Sequence, residues 1–363
     1  MHLLTLNDRH QALGATFGEF AGYRMPLYYS KPLEEHRAVR ERLGVFDISH
    51  MGQFEARGEQ AEAFLHHALT SNVLRMHDGQ ALYSPLCRED GGVLDDLIIY
   101  RHSPAHYRII VNASNRAKDY AWLARLAGKR GVALQDVTAG HCLFAVQGPR
   151  AFAALATHVT PRPDSLPYYG FAVAQAFGGE VFMARTGYTG EPGVELAVPV
   201  AAAEAVWQAL TGTLGATPIG LAARDSLRLE ACMALYGHEL SEQWHPFESG
   251  VGWAVDLDAP EDFCGKSALR AIKAAGSAHA LVGLEVTGRG IAREGYPVLQ
   301  GGHRVGVVTS GVLSPTTGKP VALAHVESAV ASIGTALEVE IRGKAVQAQV
   351  VRRPFYRNPA LRA

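Results

Sequence analysis

The chain has 363 residues, of which 48% are hydrophobic and 19% charged, a globular composition on a length that predicts two or three domains. Lys plus Arg number 34 against 35 Asp plus Glu, so a net charge of −1 leaves no bulk footprint for nucleic acid or an acidic membrane surface. The start lacks a basic-then-apolar leader and no window is long and apolar enough to span a bilayer, so a cytoplasmic protein is expected. Residues 34–43, EEHRAVRERL, predict a helix, with Val39 and Leu43 four apart. Residues 46–58, FDISHMGQFEARG, follow as one strand with a turn at its end. Residues 59–71 form an amphipathic helix, with Ala61, Phe64, Leu65 and Ala68 on one side. ALYSPLC (81–87) and VLDDLIIY (93–100) read as strands around the turn REDGG, and YRIIVNAS (107–114) as a third. Ser114 is the expected N-cap of a helix over 115–131 that ends on Gly131. Helix, strands and helix in this order give an α+β pattern.

A second set follows. CLFAVQG (142–148) is a strand, and Pro149 opens a helix at its tolerated first-turn position. EVFMART (180–186) and VELAVPV (194–200) are hairpin partners across the glycine-rich turn GYTGEPG. Residues 201–215 and 221–237 are helices closed by glycine. The helix GKSALRAIKAAG (265–276) marks a boundary, which divides the chain into residues 1–275 and 276–363. Beyond it, HALVGLEV, HRVGVVTSG, KPVALAHVE, TALEVEIRG and KAVQAQVVRRP are short strands with turn signals, as in a small β-barrel or sandwich.

Few polar groups stand where packing alone would not put them. Strand alternation puts Asp96 on one face with Leu94, Ile98 and Tyr100, while Asp95 points the other way and reads as structural. A carboxylate against apolar walls has its charged form disfavoured and favours a cationic or N–H partner. Glu195 sits between Val194 and Leu196 in a hairpin, where a solvent-facing acid is an equal reading. Arg224 and Arg228 share a helical face and Asp225 is within reach of Arg228, which by pattern predicts a solvated charged stripe. His238-Glu239 with His245 seven positions on is not a metal-binding spacing, and His50 reads as a packed or hydrogen-bonded histidine. Four scattered cysteines, Cys87, Cys142, Cys232 and Cys264, form no C-x-x-C pair, which argues against a zinc site or a disulfide framework.

Read together, GVFDISHMGQF, GGVLDDLIIY, FAVQGP, RTGYTGEPGVE, GLAARDSLRLEACMALYG and TSGVLSPTTGKPVALAHV occur in an order that resembles the T-protein family of the glycine cleavage system, the tetrahydrofolate-dependent aminomethyltransferases. The resemblance runs from about Leu6 to Tyr356. It implies a three-lobed cloverleaf, with two intertwined N-terminal α+β folate-binding domains and a C-terminal β-barrel. It implies transfer of a one-carbon unit from an aminomethyl group on the dihydrolipoyl arm of lipoylated H-protein to tetrahydrofolate, with ammonia released. No metal, flavin, nucleic acid or membrane partner is part of it. Carried over by motif, Asp96 resembles the catalytic acid, Glu195 the acid that holds the pterin amino and N–H edge, and Arg224 the basic folate ligand. Tyr83, Tyr188, Asn112, Met51 and Trp253 match pocket-lining positions, and Arg362 a folate-contacting tail. His238, Trp244 and His245 depart from the family pattern at positions that the resemblance puts near the pocket. A folate-dependent demethylase of a small molecule is the alternative enzyme. A folate-binding accessory protein in iron–sulfur assembly is the alternative from another class, and its K-G-C-Y-type motif is missing from LEACMALYG. The folate module of a flavin-dependent dehydrogenase would need an upstream flavin domain.

Overall fold

The computed structural model describes residues 1–362, with the side chain of Arg362 outside what is described. An antiparallel five-stranded sheet, a seven-stranded sheet that is antiparallel but for one parallel edge pair, and a barrel carry the fold. One sheet has five strands, in the order Gln80–Cys87, Val93–Ser103, His106–Val111, Gly52–Arg57 and Ala133–Asp136. The other has seven, in the order Val159–Thr160, Phe171–Ala176, Gly179–Ala184, Gly193–Pro199, His141–Gln147, Gly44–Asp47 and Thr217–Pro218. The chain enters the seven-stranded sheet, leaves to build the five-stranded one, and returns at His141, so the two lobes are intertwined. Each sheet buries one face in its own core, around Phe54, Phe64 and Tyr107 in the first and Phe144, Met183 and Trp207 in the second. A third cluster, with Phe46, Tyr100 and Phe182, joins them.

The run read as one strand over 46–58 is two strands in two sheets. Asp47 accepts hydrogen bonds from the Ser49 backbone N–H and hydroxyl at 2.9 and 2.5 Å, a side-chain turn that competes with the ladder and breaks it. The released residues Ile48, His50 and Met51 become cavity wall. The helix expected over 115–131 is Arg116–Gly128, and Ser114 does not cap it. Asn115 holds the cap position, and its amide is turned to Asp95 instead, at 2.6 Å. The helix expected over 221–237 stops at Glu230, and Cys232 then takes a left-handed φ of 54°, which a continuing helix forbids.

The C-terminal strands close into a six-stranded barrel, His279–Val286, Pro320–Glu327, His303–Leu313, Pro297–Gln300, Ala336–Ile341 and Lys344–Val351. Pro297–Gln300 has no counterpart in the strands read from sequence. Alternate residues such as Val282, Leu284, Val298, Ala322, Ala324, Leu337 and Val350 fill the barrel interior, and closure leaves no free sheet edge. The barrel is tied to the rest through Arg228, which is 1% exposed and not on a solvated stripe as its spacing predicts. Its guanidinium donates to Glu239 at 2.7 Å and to Ser310 of the barrel at 2.7 Å, while Asp225 at 2.8 Å is its exposed partner. No helix among the described residues is long and apolar enough to cross a membrane.

Candidate active site

The two sheets and the barrel meet around a cavity of about 1350 Å³, lined from the five-stranded sheet by Asp96, from the seven-stranded sheet by Glu195 and from the barrel by Val350. That is more room than most small-molecule sites need. Asp96 lies on Val93–Ser103, between Gln80–Cys87 and His106–Val111. Its neighbours Ile98 and Tyr100 share the cavity face as alternation requires, but Leu94 does not. A register shift pairs Leu86 with Asp95 and Cys87 with Val93, so Leu94 is the extra residue of a bulge and packs in the opposite core with Leu97. The bulge sets the aim of the acids that follow it.

Asp96 is held on both oxygens. Tyr83 donates its hydroxyl to Oδ2 at 3.1 Å, and the Asn112 amide donates to Oδ1 at 2.8 Å. The same amide reaches Oδ1 of Asp95 at 2.8 Å, so the two acids are coupled through one side chain. Burial, then the Asp95 charge, pushes the Asp96 pKa up to about 7, against the hydrogen bonds from Tyr83 and Asn112. Such a group exchanges a proton at neutral pH, as a general acid or base must. Trp253, 74% exposed, stacks on Tyr83 with ring centroids 5.3 Å apart.

Glu195 occupies an interior strand, opposite Ala145 and Ala184, and so is not a solvent-facing hairpin acid. The small cross-strand residues leave its carboxyl room in the cavity. Thr186 donates to Oε2 at 2.6 Å. Burial raises its pKa, while that bond and the Arg224 charge draw it down. Arg224, from the helix Leu221–Glu230, projects its guanidinium over the Tyr188 ring at 4.6 Å. Burial lowers its pKa, and Tyr188 and Glu195 oppose this. The Tyr188 hydroxyl is anchored on the Ala234 carbonyl. Met51 also lines the cavity.

The structure thus brings Asp96, Tyr83, Asn112, Glu195, Arg224, Tyr188, Met51 and Trp253 to one cavity. For Arg362, the side chain lies outside the described residues, although Leu361 of its short helix is cavity wall. His238, Trp244 and His245 are not among the lining residues. His238 hydrogen-bonds the Thr309 carbonyl at 3.1 Å and Trp244 stacks on His325 at 4.1 Å, so both face the barrel. His50 is 1% exposed, met edge-on by Phe20 and Tyr23, and its Nδ1 has no hydrogen-bond partner among the described residues. Glu239 is taken up by Arg228, Thr309 and Ser310. Among the described residues no group of three or more His, Cys, Asp or Glu side chains is placed to hold a metal ion. Sequence reasoning missed Tyr100 and the mouth residues Arg352, Tyr356 and Arg357 as cavity wall, and Thr186 as the hydrogen-bond donor to Glu195. Thr186 adjoins the glycine turn, Tyr100 shares alternation with Asp96, and the mouth residues lie in the basic tract VRRPFYR (351–357), so each carried a signal.

The GCVT N-terminal domain model matches residues 6–259 and the glycine cleavage T-protein C-terminal barrel domain model matches residues 279–357. An aminomethyltransferase of Saccharopolyspora erythraea is 46% identical over 98% of both chains. One of Synechococcus elongatus is 48% identical over 96% of this chain and 94% of its own. The crystal structure of the glycine cleavage system aminomethyltransferase T from Bartonella henselae superposes with a TM-score of 0.92 at 35% identity, covering 98% of both chains. With both domain models matched in order and relatives of this identity spanning its length, the chain belongs to the T-protein family of the glycine cleavage system and is an aminomethyltransferase.

Proposed function

We propose that this chain accepts the aminomethyl group carried as a thioaminal on the dihydrolipoyl arm of lipoylated H-protein and passes its carbon to tetrahydrofolate. The carbon–sulfur and carbon–nitrogen bonds break, ammonia and the dithiol arm leave, and 5,10-methylenetetrahydrofolate forms. The observation that carries the reading is Asp96, a cavity carboxyl held by Tyr83 and Asn112 with a pKa near neutrality. It takes the role of the acid that moves a proton at the folate nitrogens and faces positive charge developing on the transferred carbon. Glu195 only accepts when ionised and Arg224 only donates, so the pair suits a flat ring with N–H groups on one part of its edge and a carbonyl on another. Tyr83, Tyr188 and Met51 supply the apolar faces for that ring. Asn112 orients Asp96 and Trp253 buttresses Tyr83, while Arg362 belongs to a tail that resembles a folate-contacting segment. Holding two substrates in one cavity supplies much of the remaining rate by proximity.

In this reading residues 1–275 are the folate-binding region and 276–363 the barrel domain. The protein works in the cytoplasm, with neither metal nor flavin, and with no nucleic acid or membrane partner. The test is reconstitution with lipoylated H-protein, glycine decarboxylase, glycine and tetrahydrofolate. Ammonia and methylenetetrahydrofolate must both appear only when this chain is added. Methylenetetrahydrofolate formed from a small methylated amine, and not from the loaded carrier, would replace this reading with the demethylase one.

A further inference from the structure

A third carboxyl lies behind Asp96. Asp119, in the first turn of Arg116–Gly128, has 0% exposure. Neither of its oxygens receives a hydrogen bond from an N–H or hydroxyl donor among the described residues. An ionised carboxylate without donors is expensive to bury, and such a group keeps its proton instead. Its neighbour is Asp95, close enough for the two carboxyls to share a hydrogen bond once one of them is protonated. Two carboxyls can bond only if one of them donates. Asp95 already accepts from the Asn112 backbone N–H at 3.1 Å, the Asn112 amide at 2.8 Å and the Asn115 amide at 2.6 Å. That acceptor set suits a carboxylate, which puts the shared proton on Asp119. Burial and then the Asp95 charge push the Asp119 carboxyl far above the ordinary carboxylate range. Lys118, on the same helix, opposes this, but its ammonium is engaged by the Tyr236 hydroxyl at 2.8 Å and Glu242 at 3.2 Å.

We propose that Asp119 is a positioning residue for the transfer reaction: it stays protonated, donates its O–H to Asp95, and so fixes the carboxylate that holds Asn112 against Asp96. The proton does not leave Asp119, and no substrate touches it. The groups that face the pair are Asp96 on the same strand as Asp95, Lys118 on the helix and Tyr236 on the segment that follows Leu221–Glu230. The proposal rests on the reading of Asp96 given above and predicts a specific asymmetry between two substitutions.

Asp119→Asn keeps a donor for Asp95 and cannot ionise. Asp119→Leu keeps the bulk and removes the donor. In the reconstituted assay, Asp119→Asn should hold kcat within about threefold of the parent, while Asp119→Leu should lose about tenfold or more, the scale of losing an orienting partner. The KM for tetrahydrofolate should stay within about threefold in both, because Asp119 does not reach the ligand. The acid limb of the kcat profile should move to higher pH in Asp119→Leu alone. Asn112 then supports the charged form of Asp96 less well, and a charged form less supported means a higher pKa. Infrared spectra of the resting protein at pH 8 give a readout apart from activity. A protonated-carboxyl C=O band should be present in the parent and absent in Asp119→Asn. Absence of that band in the folded parent overturns the proposal, even if Asp119→Leu fails to fold. So does a parent-like kcat and acid limb in Asp119→Leu, or an Asp119→Asn as impaired as the leucine variant. Failure of the Asp96 reading is distinct: Asp96→Asn would then turn over normally while the infrared band remained.

Discussion

Asp96 and Glu195 are both carboxyls on interior strands that open on one cavity, but the protein holds them differently. Asp96 receives donors on both oxygens, from Tyr83 and Asn112, and has a second acid tied to it through the same amide. Glu195 receives one protein donor, Thr186 on Oε2, and its other oxygen has none among the described residues. A group satisfied by the protein has its direction fixed before substrate arrives, which is what proton transfer in a transition state requires. A group left with acceptor capacity gains its partners from the ligand, which is what affinity and orientation require. In the proposed reading this difference gives chemistry to Asp96 and binding to Glu195.

The assignment breaks most visibly at Asp96. Asp96→Asn keeps the size and most of the hydrogen bonding, so tetrahydrofolate should bind with near-parent affinity while turnover falls by roughly 10²-fold or more, the scale of losing acid–base assistance. Rapid-quench turnover beside a calorimetric titration separates the two. A binding loss as large as the turnover loss would erase the distinction between the ends of the cavity. The pH profile sharpens it. With a pKa near 7 in the free protein, the ionised fraction of Asp96 grows as pH rises, so kcat/KM should climb on an acid limb with its midpoint near pH 7. Asp96→Asn should abolish that limb, and a limb that survives belongs to another group.

Glu195 should show the reverse pattern. In Glu195→Ala the donors of the bound ring edge lose their acceptor, costing on the order of 1–3 kcal/mol of tetrahydrofolate affinity, with a smaller effect on kcat at saturation. Arg224 loses its nearby counter-charge in the same variant, so thermal unfolding must be measured beside the titration. An unchanged dissociation constant in a folded variant would leave Glu195 without the role given to it.

How far this pattern was legible in the sequence differs between the same two ends. The acid end announced itself, because an Asp sharing strand alternation with Ile98 and Tyr100 is anomalous on a buried face. Even there the reading of Leu94 failed, since a bulge depends on a partner strand that period-two alternation does not contain. Asp95 read as merely structural for the same reason: its link to Asp96 runs through Asn112, sixteen and seventeen residues on from the two acids. The Glu195 end was ambiguous by pattern, as any single acid in a hairpin is, and Arg224 read as part of a solvated stripe. What buries that helix is distant chain, with Ala223 and Leu227 packed against Ala38 and Val39 and Arg228 bonded to Ser310 of the barrel across 82 positions, and no local rule reaches so far. The motifs in their order resolved what periodicity could not, but they did not mark Thr186, Tyr100 or Asp119.

The smallest expected effect concerns the mouth, where the cavity meets solvent and a protein-borne donor must dock. Two basic tracts stand out in the sequence, residues 125–131 and 351–357, and the structure separates them. Arg352 and Arg357, like Trp253, are exposed yet line the cavity, which puts them at its mouth. Arg125 lies outside the lining, over the Trp122 ring at 4.3 Å and paired with Glu89 at 3.5 Å. A lipoylated carrier that threads its arm into the cavity brings its own surface against the mouth and not against the distant helix. Charge reversal at Arg352 and Arg357 should then raise the KM for the carrier severalfold at low salt, because rim charges act on encounter more than on the docked state. The effect should fade as salt rises, since exposed charges are screened over about 10 Å at 0.1 M ionic strength. The same reversal at Arg125 and Lys129 should leave that KM unchanged, and the tetrahydrofolate dissociation constant should be insensitive to the second pair. If the Arg125 and Lys129 reversal raises the KM for the carrier and the mouth reversal does not, the carrier docks on the far side of the five-stranded lobe, and the arm must reach Asp96 by a path other than the mouth that Arg352 and Arg357 line.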